Sequence, residues 1–281
     1  MTDTPRLSLI TVCYNAGTTI AHALQSAREQ TYRNFEHLIV DGASKDRTLD
    51  VVKQFSDLPL VVFSEPDKGI YDAMNKGLAR ARGDILFFLN ADDRLWGNDV
   101  LARVAQAFDA DPDLDILWGD VISVFPDGDT ERNSYSHITP DTLVYGSLCH
   151  QATFAHRRLF ERFGNFNTDY PICADYDWFM RVLRGGARYR HLDLEVAAFS
   201  RGGAHENNRD ATYWERAQVR RNYLKPLPYL VGEAALYLKT RKAFLASRIK
   251  RILCKTIPPL GRHPRCQRLL RRTEGPTGRK K

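Results

Sequence analysis

The sequence lacks an uninterrupted apolar run of even about 18 residues, which excludes an ordinary transmembrane helix. Met1 to Arg6 has neither the basic flank nor the apolar core of a secretion signal, and leads straight into a strand-like run. Cysteine is sparse: five residues, at 13, 149, 173, 254 and 266, odd in number and far apart. No CxxC pair occurs, so zinc spacing is absent and a reducing cytosol is the expected setting. The first loop has no GxGxxG, which removes the main support for a nicotinamide cofactor. A P-loop, GxxxxGK followed by Ser or Thr, is also absent.

Acids are missing from one end only. Residues 225–281 hold sixteen Lys or Arg against Glu233 and Glu274, a net +14. The whole chain is +7, so the first 224 residues carry −7. An acidic body with a basic end faces two kinds of partner. After a breaker at Tyr223-Leu224-Lys225-Pro226-Leu227-Pro228, Val231, Ala234, Ala235, Leu238, Leu245, Ile249, Ile252 and Leu253 recur at helical spacing among Lys and Arg. This predicts a basic amphipathic helical extension over 223–272. It lies on an anionic membrane face, packs on the body, or touches nucleic acid. The chain has no aromatic platforms, zinc fingers or RNP motif, so no specific nucleic-acid partner is expected. Residues 273–281 are expected to be disordered.

At 281 residues and 43% hydrophobic, the chain can build one large domain, or one domain plus an appendage. Strand-like Leu7–Val12, Phe35–Val40, Leu60–Phe63 and the run after Gly83-Asp84 alternate with helical patterns over Ile20–Ala27, Leu49–Phe55 and about Ile70–Ala81. Thr18 or Thr19 is positioned to cap the first helix. Such alternation predicts a Rossmann-like, mainly parallel sheet with right-handed crossovers. In it Asp41 ends strand two, and Asn90-Ala91-Asp92-Asp93 ends strand four. Parallel strands put these acids on one sheet edge, where open α/β sheets bind ligands. Asp41 can accept from a base or ribose, while Asp92 and Asp93 form a hard oxygen site for Mg²⁺ or Mn²⁺. A strand followed by a polar turn gives the same letters.

Further on, Asp99–Asp109 reads as a helix and Asp115–Val124 as a strand. Pro126-Asp127-Gly128-Asp129 reads as the turn of a hairpin or of a surface excursion, and Tyr135–Tyr145 as a loop lining or covering a cleft. His150–Phe154 is strand-like, Leu159–Phe163 a short helix, and His191–Phe199 a strand. Asp175 and Asp177 fall at the start of a helix with Trp178, Phe179, Val182 and Leu183 inward. Acids there satisfy free N–H groups and the helix dipole; alternatively, one is a general base. Arg201-Gly202-Gly203-Ala204-His205 is a glycine-hinged loop whose cationic and imidazole groups can close over phosphates. His150 orients acceptor or donor, or packs on the sheet.

The chain resembles the family 2 glycosyltransferases, of the GT-A fold, over about residues 5–210. The matching pieces are Thr11-Val12-Cys13-Tyr14-Asn15, Val40 to Thr48, Gly69 to Gly77, Gly83-Asp84, Leu89 to Asp93, His150-Gln151 and Ala174-Asp175-Tyr176-Asp177-Trp178. The resemblance implies a GT-A domain over 1–222. It also implies inverting transfer of a sugar from a nucleotide diphosphate sugar, UDP-linked, to a saccharide hydroxyl. Asp41 matches the family's nucleoside-binding acid, Asp93 its metal ligand with Mn²⁺ or Mg²⁺, Asp92 the acid beside the donor ribose or sugar, and Asp175 its general base. Asn15, Arg201 and His205 go with the donor; His150 and Asp177 with the acceptor or with orientation. Gly42 stands where many members have a second Asp, Asn90 where many have the first acid of the metal motif, and Ala174 where a Glu precedes the base. No QxxRW occurs, which argues against a processive polymer synthase. With the basic end on the inner membrane face, a lipid-linked acceptor of surface polysaccharide assembly is expected. The readings of other kinds are a metal-dependent nucleotidyltransferase and a non-catalytic sugar-nucleotide-binding protein.

Overall fold

The computed structural model describes residues 5–125, 128–200 and 209–224, together with 232, 233 and 236. These fall into two compact units, divided at Val124/Phe125, Asp129/Thr130 and Arg216/Ala217. The first unit holds the sheet. Its opening half alternates β1 (Leu7–Cys13), α1 (Ile20–Arg28), β2 (Phe35–Asp41), α2 (Thr48–Lys53), β3 (Leu60–Ser64), α3 (Ile70–Arg80) and β4 (Ile85–Phe88). β1 pairs in parallel with β2 and β4, and β2 with β3. Every residue of β1, β2 and β4 is buried, as parallel strands covered on both faces require. Helix α3 sits close on this sheet because Gly77 has no side chain: a Cβ there would lie 2.5 Å from Ile10 Cγ2. Thr19 occupies the N-cap of α1, but its hydroxyl donates to Ala16 O (3.3 Å) instead of receiving a helix N–H.

The sheet as a whole is mixed, which corrects the mainly parallel expectation. After β5 (Arg94–Leu95), α4 (Val100–Asp109), β6 (Ile116–Val124) and β7 (Thr130–Asn133), strand β8 (Thr153–His156) inserts antiparallel between β4 and β6. β6 and β7 form the expected hairpin. Beyond α5 (Arg158–Phe163) and α6 (Ala174–Arg184), strand β9 (Tyr189–Ser200) runs parallel to β6 and antiparallel to β5. The order is β3-β2-β1-β4-β8-β6-β9-β5, with β7 on β6. Phe87 of β4 stacks on Phe154 of β8 at 4.2 Å, and Phe160 on Trp178 at 4.3 Å. Fully burying one such ring contributes about 1.5–3 kcal/mol.

His150–Ala152, expected in a strand, is a 3₁₀ turn that leads into β8. The 135–145 segment is a loop, as expected, with a 3₁₀ turn at Thr142–Val144. Fully buried Asp120 anchors its start, accepting from Tyr135 N (3.0 Å), His191 Nε2 (2.8 Å) and Arg132. Burial pushes the Asp120 carboxyl up, but these donors outweigh it and hold it below the usual range. Helix α7 (Arg209–Arg221) is strongly polar in composition. In the second unit Arg220 pairs with Glu233. Apart from those few described positions, the expected extension and tail lie outside the described residues, as do Arg201 and His205.

Candidate active site

A cleft of about 840 Å³ opens at the carboxyl ends of β1 and β4 in the first unit. The β1 loop (Val12 to Ala16), the start of α3, the β4 loop (Asn90 to Asp93), the His150 turn and the N-terminus of α6 line it. A smaller hollow of about 550 Å³ by Arg28, Arg33 and Asp57 gathers no comparable set. Four carboxylates line the cleft, Asp67, Asp92, Asp93 and Asp175, against Arg216 and the His150 imidazole. Such a site suits a ligand that arrives with a cation.

Asp93 is buried while Asp92 is exposed. Burial, and next the Asp92 charge, push the Asp93 carboxyl up to about 7. Its partners are neutral: Gln151 Nε2 donates to Oδ2 at 3.1 Å, and Asn90 also hydrogen-bonds to it. No cationic side chain among the described residues is hydrogen-bonded to it. Among the described residues no group of three or more His, Cys, Asp or Glu gathers into a metal cage. The donor set therefore fits a hard divalent ion that takes one or two carboxylate oxygens and fills its shell with phosphate and water.

Asp175 sits in the first turn of α6. His150 Nδ1 donates to its Oδ2 (3.1 Å), while Tyr176 N (2.8 Å) and Tyr71 Oη (3.0 Å) donate to Oδ1. Burial works to raise this carboxyl, but the His150 bond and charge, then Tyr176 and Tyr71, bring it below the ordinary value. It is ionised at neutral pH and can accept a proton. His150 Nε2 faces Asn90 Oδ1 at 3.4 Å. Thus two consecutive side chains on one short turn, His150 and Gln151, reach the two acids Asp175 and Asp93. Asn90, where an acid was the common pattern, serves the imidazole.

Other expected residues sit differently. Asp41 is fully buried and does not line the cleft. Asn15 does line it; it has φ +50°, accepts from Lys45 N (2.9 Å), and its own N–H donates to Ser44 Oγ (2.8 Å). Asp177, two residues after Asp175, points elsewhere: it is buried and ion-paired with Arg181 at 3.0 Å. The 3.6-residue turn sends i and i+2 to different faces, so Asp177 is not brought together with the cleft acids.

Sequence reasoning missed Asp67, Tyr71, Gln151 and Arg216. Tyr71 and Gln151 lie inside matched motifs, so position alone could have flagged them. Arg216, over the Tyr176 ring at 4.3 Å and donating to Gly146 O, is the one Lys or Arg lining the cleft among the described residues. Its neighbour Glu215 accepts from Ile172 N (3.0 Å) and Cys173 N (2.9 Å), just before α6.

A strand-end cleft on a mixed α/β sheet, lined by an ionised carboxylate at Asp175 and a buried acid at Asp93, is the setting of an enzyme site. The family description "Glycosyl transferase family 2" matches residues 8–187. A protein named "PGL/p-HBAD biosynthesis glycosyltransferase", from Mycobacterium bovis (strain BCG / Pasteur 1173P2), is 34% identical over 229 residues, 80% of this chain and 84% of that one. The solved structure of TarS 1-349 from S. aureus in complex with UDP aligns with a TM-score of 0.63 and 21% identity, over 76% of this chain and 65% of that one. The mannosyltransferase PcManGT from Pyrobaculum calidifontis, in complex with GDP-Man and Mn²⁺, aligns with a TM-score of 0.62 and 24% identity, over 84% and 71%. The chain belongs to glycosyltransferase family 2. It is an enzyme that moves a sugar from a nucleotide diphosphate sugar to a saccharide acceptor.

Proposed function

We propose that transfer is a single inverting displacement, from a UDP-linked donor to a hydroxyl of a lipid-linked saccharide in surface polysaccharide assembly. The observation that carries the mechanism is the pair of acids held by His150 and Gln151. Asp93 holds Mn²⁺ or Mg²⁺, with Asp92 beside the donor ribose or sugar. The ion, when bound, neutralises charge that gathers on the departing diphosphate. Asn15 and the loop carrying Arg201 and His205 belong to donor binding.

Asp175 takes the proton of the acceptor hydroxyl as that oxygen attacks the anomeric carbon. The bond to the diphosphate oxygen breaks on the opposite face, so configuration inverts and no covalent sugar–enzyme intermediate forms. His150 keeps the carboxylate ionised and aimed. The +14 end, docked on the inner membrane face, places the enzyme at a lipid-linked acceptor. The domain limits, 1–222 and 223–272, belong to the same proposal.

The test is a screen of nucleotide sugars with Mn²⁺ or Mg²⁺, reading release of nucleoside diphosphate, followed by acceptor trials with the best donor. Asp175→Asn should nearly abolish transfer while donor binding persists. Near-normal transfer in that variant would remove Asp175 from the role of base.

A further inference from the structure

The acid matched to nucleoside binding has no free acceptor left. Asp41 Oδ1 accepts from the Ser44 hydroxyl and faces the Cys13 thiol at 3.7 Å; Oδ2 accepts from Ser44 N (3.0 Å) and Ser64 Oγ (2.6 Å). Two partners on each oxygen use the lone pairs of a carboxylate, and Asp41 is wholly buried. Its work is to fix the loop after β2, and through Ser44 the backbone of Asn15.

A different carboxylate stands at this end of the cleft. Asp67, in the loop between β3 and α3, lines the cleft together with Cys13, Tyr14 and Gly69. Its Oδ1 accepts from Gly69 N (2.8 Å). Its Oδ2 lies over Gly42: a Cβ built on Gly42 would collide with that oxygen and touch Tyr14 Cδ2 at 3.4 Å. A side chain at 42 would therefore make the Asp67 carboxylate shift from this position. Among the described residues Asp67 Oδ2 accepts no hydrogen bond, and Asp67 is only half-buried.

We infer that Asp67 is the acid that reads the nucleobase of the donor, and that the bare Gly42 is what admits it. This rests on the nucleotide-sugar reading of the same cleft. A carboxylate fixed by Gly69 presents only acceptors. It therefore selects a base with a ring N–H, as uracil, thymine and guanine have. In cytosine and adenine the exocyclic amine adjoins a ring nitrogen whose lone pair the carboxylate repels. The exposed Tyr14 ring, in contact with the same Gly42 surface, supplies an apolar wall.

The test is calorimetric titration of the full chain with UDP, GDP, CDP and ADP, for the natural protein and for Asp67→Asn and Asp67→Glu. In Asp67→Asn the amide oxygen keeps the Gly69 bond and turns an NH₂ toward the base. UDP or GDP should bind tightest to the natural protein. Asp67→Asn should weaken that nucleotide by about ten- to a hundredfold and narrow its lead over CDP and ADP. Asp67→Glu, which keeps the charge, should restore part of the preference. Unchanged affinity and ranking in Asp67→Asn, or CDP or ADP as the tightest ligand, overturns the assignment while leaving a nucleotide site in place. If no nucleotide binds the natural protein, the donor reading itself fails and the assignment falls with it. A melting temperature near that of the natural protein confirms that Asp67→Asn has folded.

Discussion

Removing the imidazole of His150 should expose the titration of Asp175. In the folded protein burial pushes this carboxyl up, and His150 is the largest influence bringing it back below the ordinary value. In His150→Ala, Tyr176 N and Tyr71 Oη remain on Oδ1, and Oδ2 loses its donor at 3.1 Å. A hydrogen bond to a charged, sheltered group is worth about 1.5–3 kcal/mol, and its loss raises the carboxyl pKa. The sign is fixed: a carboxyl whose pKa rises is protonated over a wider acid range and is then no longer a base. The acid limb of kcat/KM should move to higher pH, so the loss relative to the natural enzyme grows as pH falls into the range where carboxylates titrate. The assay is nucleoside diphosphate release with saturating metal at a series of pH values. His150→Asn, which keeps an N–H donor, should shift the limb less than His150→Ala. A constant ratio of variant to natural rate across the pH range would refute the idea that His150 tunes the base.

Two other outcomes test separate parts of the molecule. His37 is fully buried in β2, its Nδ1 has no hydrogen-bond partner, and burial pushes its pKa from 6.5 down to about 4. The unfolded chain binds this proton first, so stability is complete above about pH 6.5 and falls by roughly 3 kcal/mol toward pH 4. Denaturant midpoints should show a shallower acid dependence in His37→Gln. For the basic end, a chain stopped near Leu224 should lose binding to anionic vesicles in a co-sedimentation assay, and equal binding by the short and full chains would refute membrane docking.

The first four strands were legible because their apolar runs are continuous and each is followed by a helical period, the pattern of a strand covered on both faces. Pairing in the second half was not legible. Strand β8 is only Thr153–His156, and its antiparallel place between β4 and β6 is set by contacts distant in sequence, such as Phe87 on Phe154. Strand β7, Thr-Glu-Arg-Asn, is polar because it lies at an edge. Helix α7 was passed over because Glu215 and Arg216 are directed at the site instead of at a core. Of the site acids, Asp93 and Asp175 stood where their motifs put them. Asp41 and Asp67 are not distinguished by their letters, since burial and the hydroxyls of Ser44 and Ser64 decide which carboxylate is spent. The separation of Asp177 from Asp175 was readable, because Arg181 follows Asp177 by four residues, the spacing of an intrahelical ion pair.

The turn at His150–Ala152 has a consequence for redesign. One peptide unit carries both the side chain that holds Asp175 and the side chain that holds Asp93. With the roles proposed for Asp93 and Asp175, donor binding and acceptor activation should not exchange as independent cassettes. A graft of loops that changes the fit around Asp93 will shift Gln151, and with it the aim of Asp175, so swapped enzymes should lose turnover before they lose substrate binding. Libraries that vary residues 149–152 jointly with the β4 loop address the two ends as the single mechanical part they are.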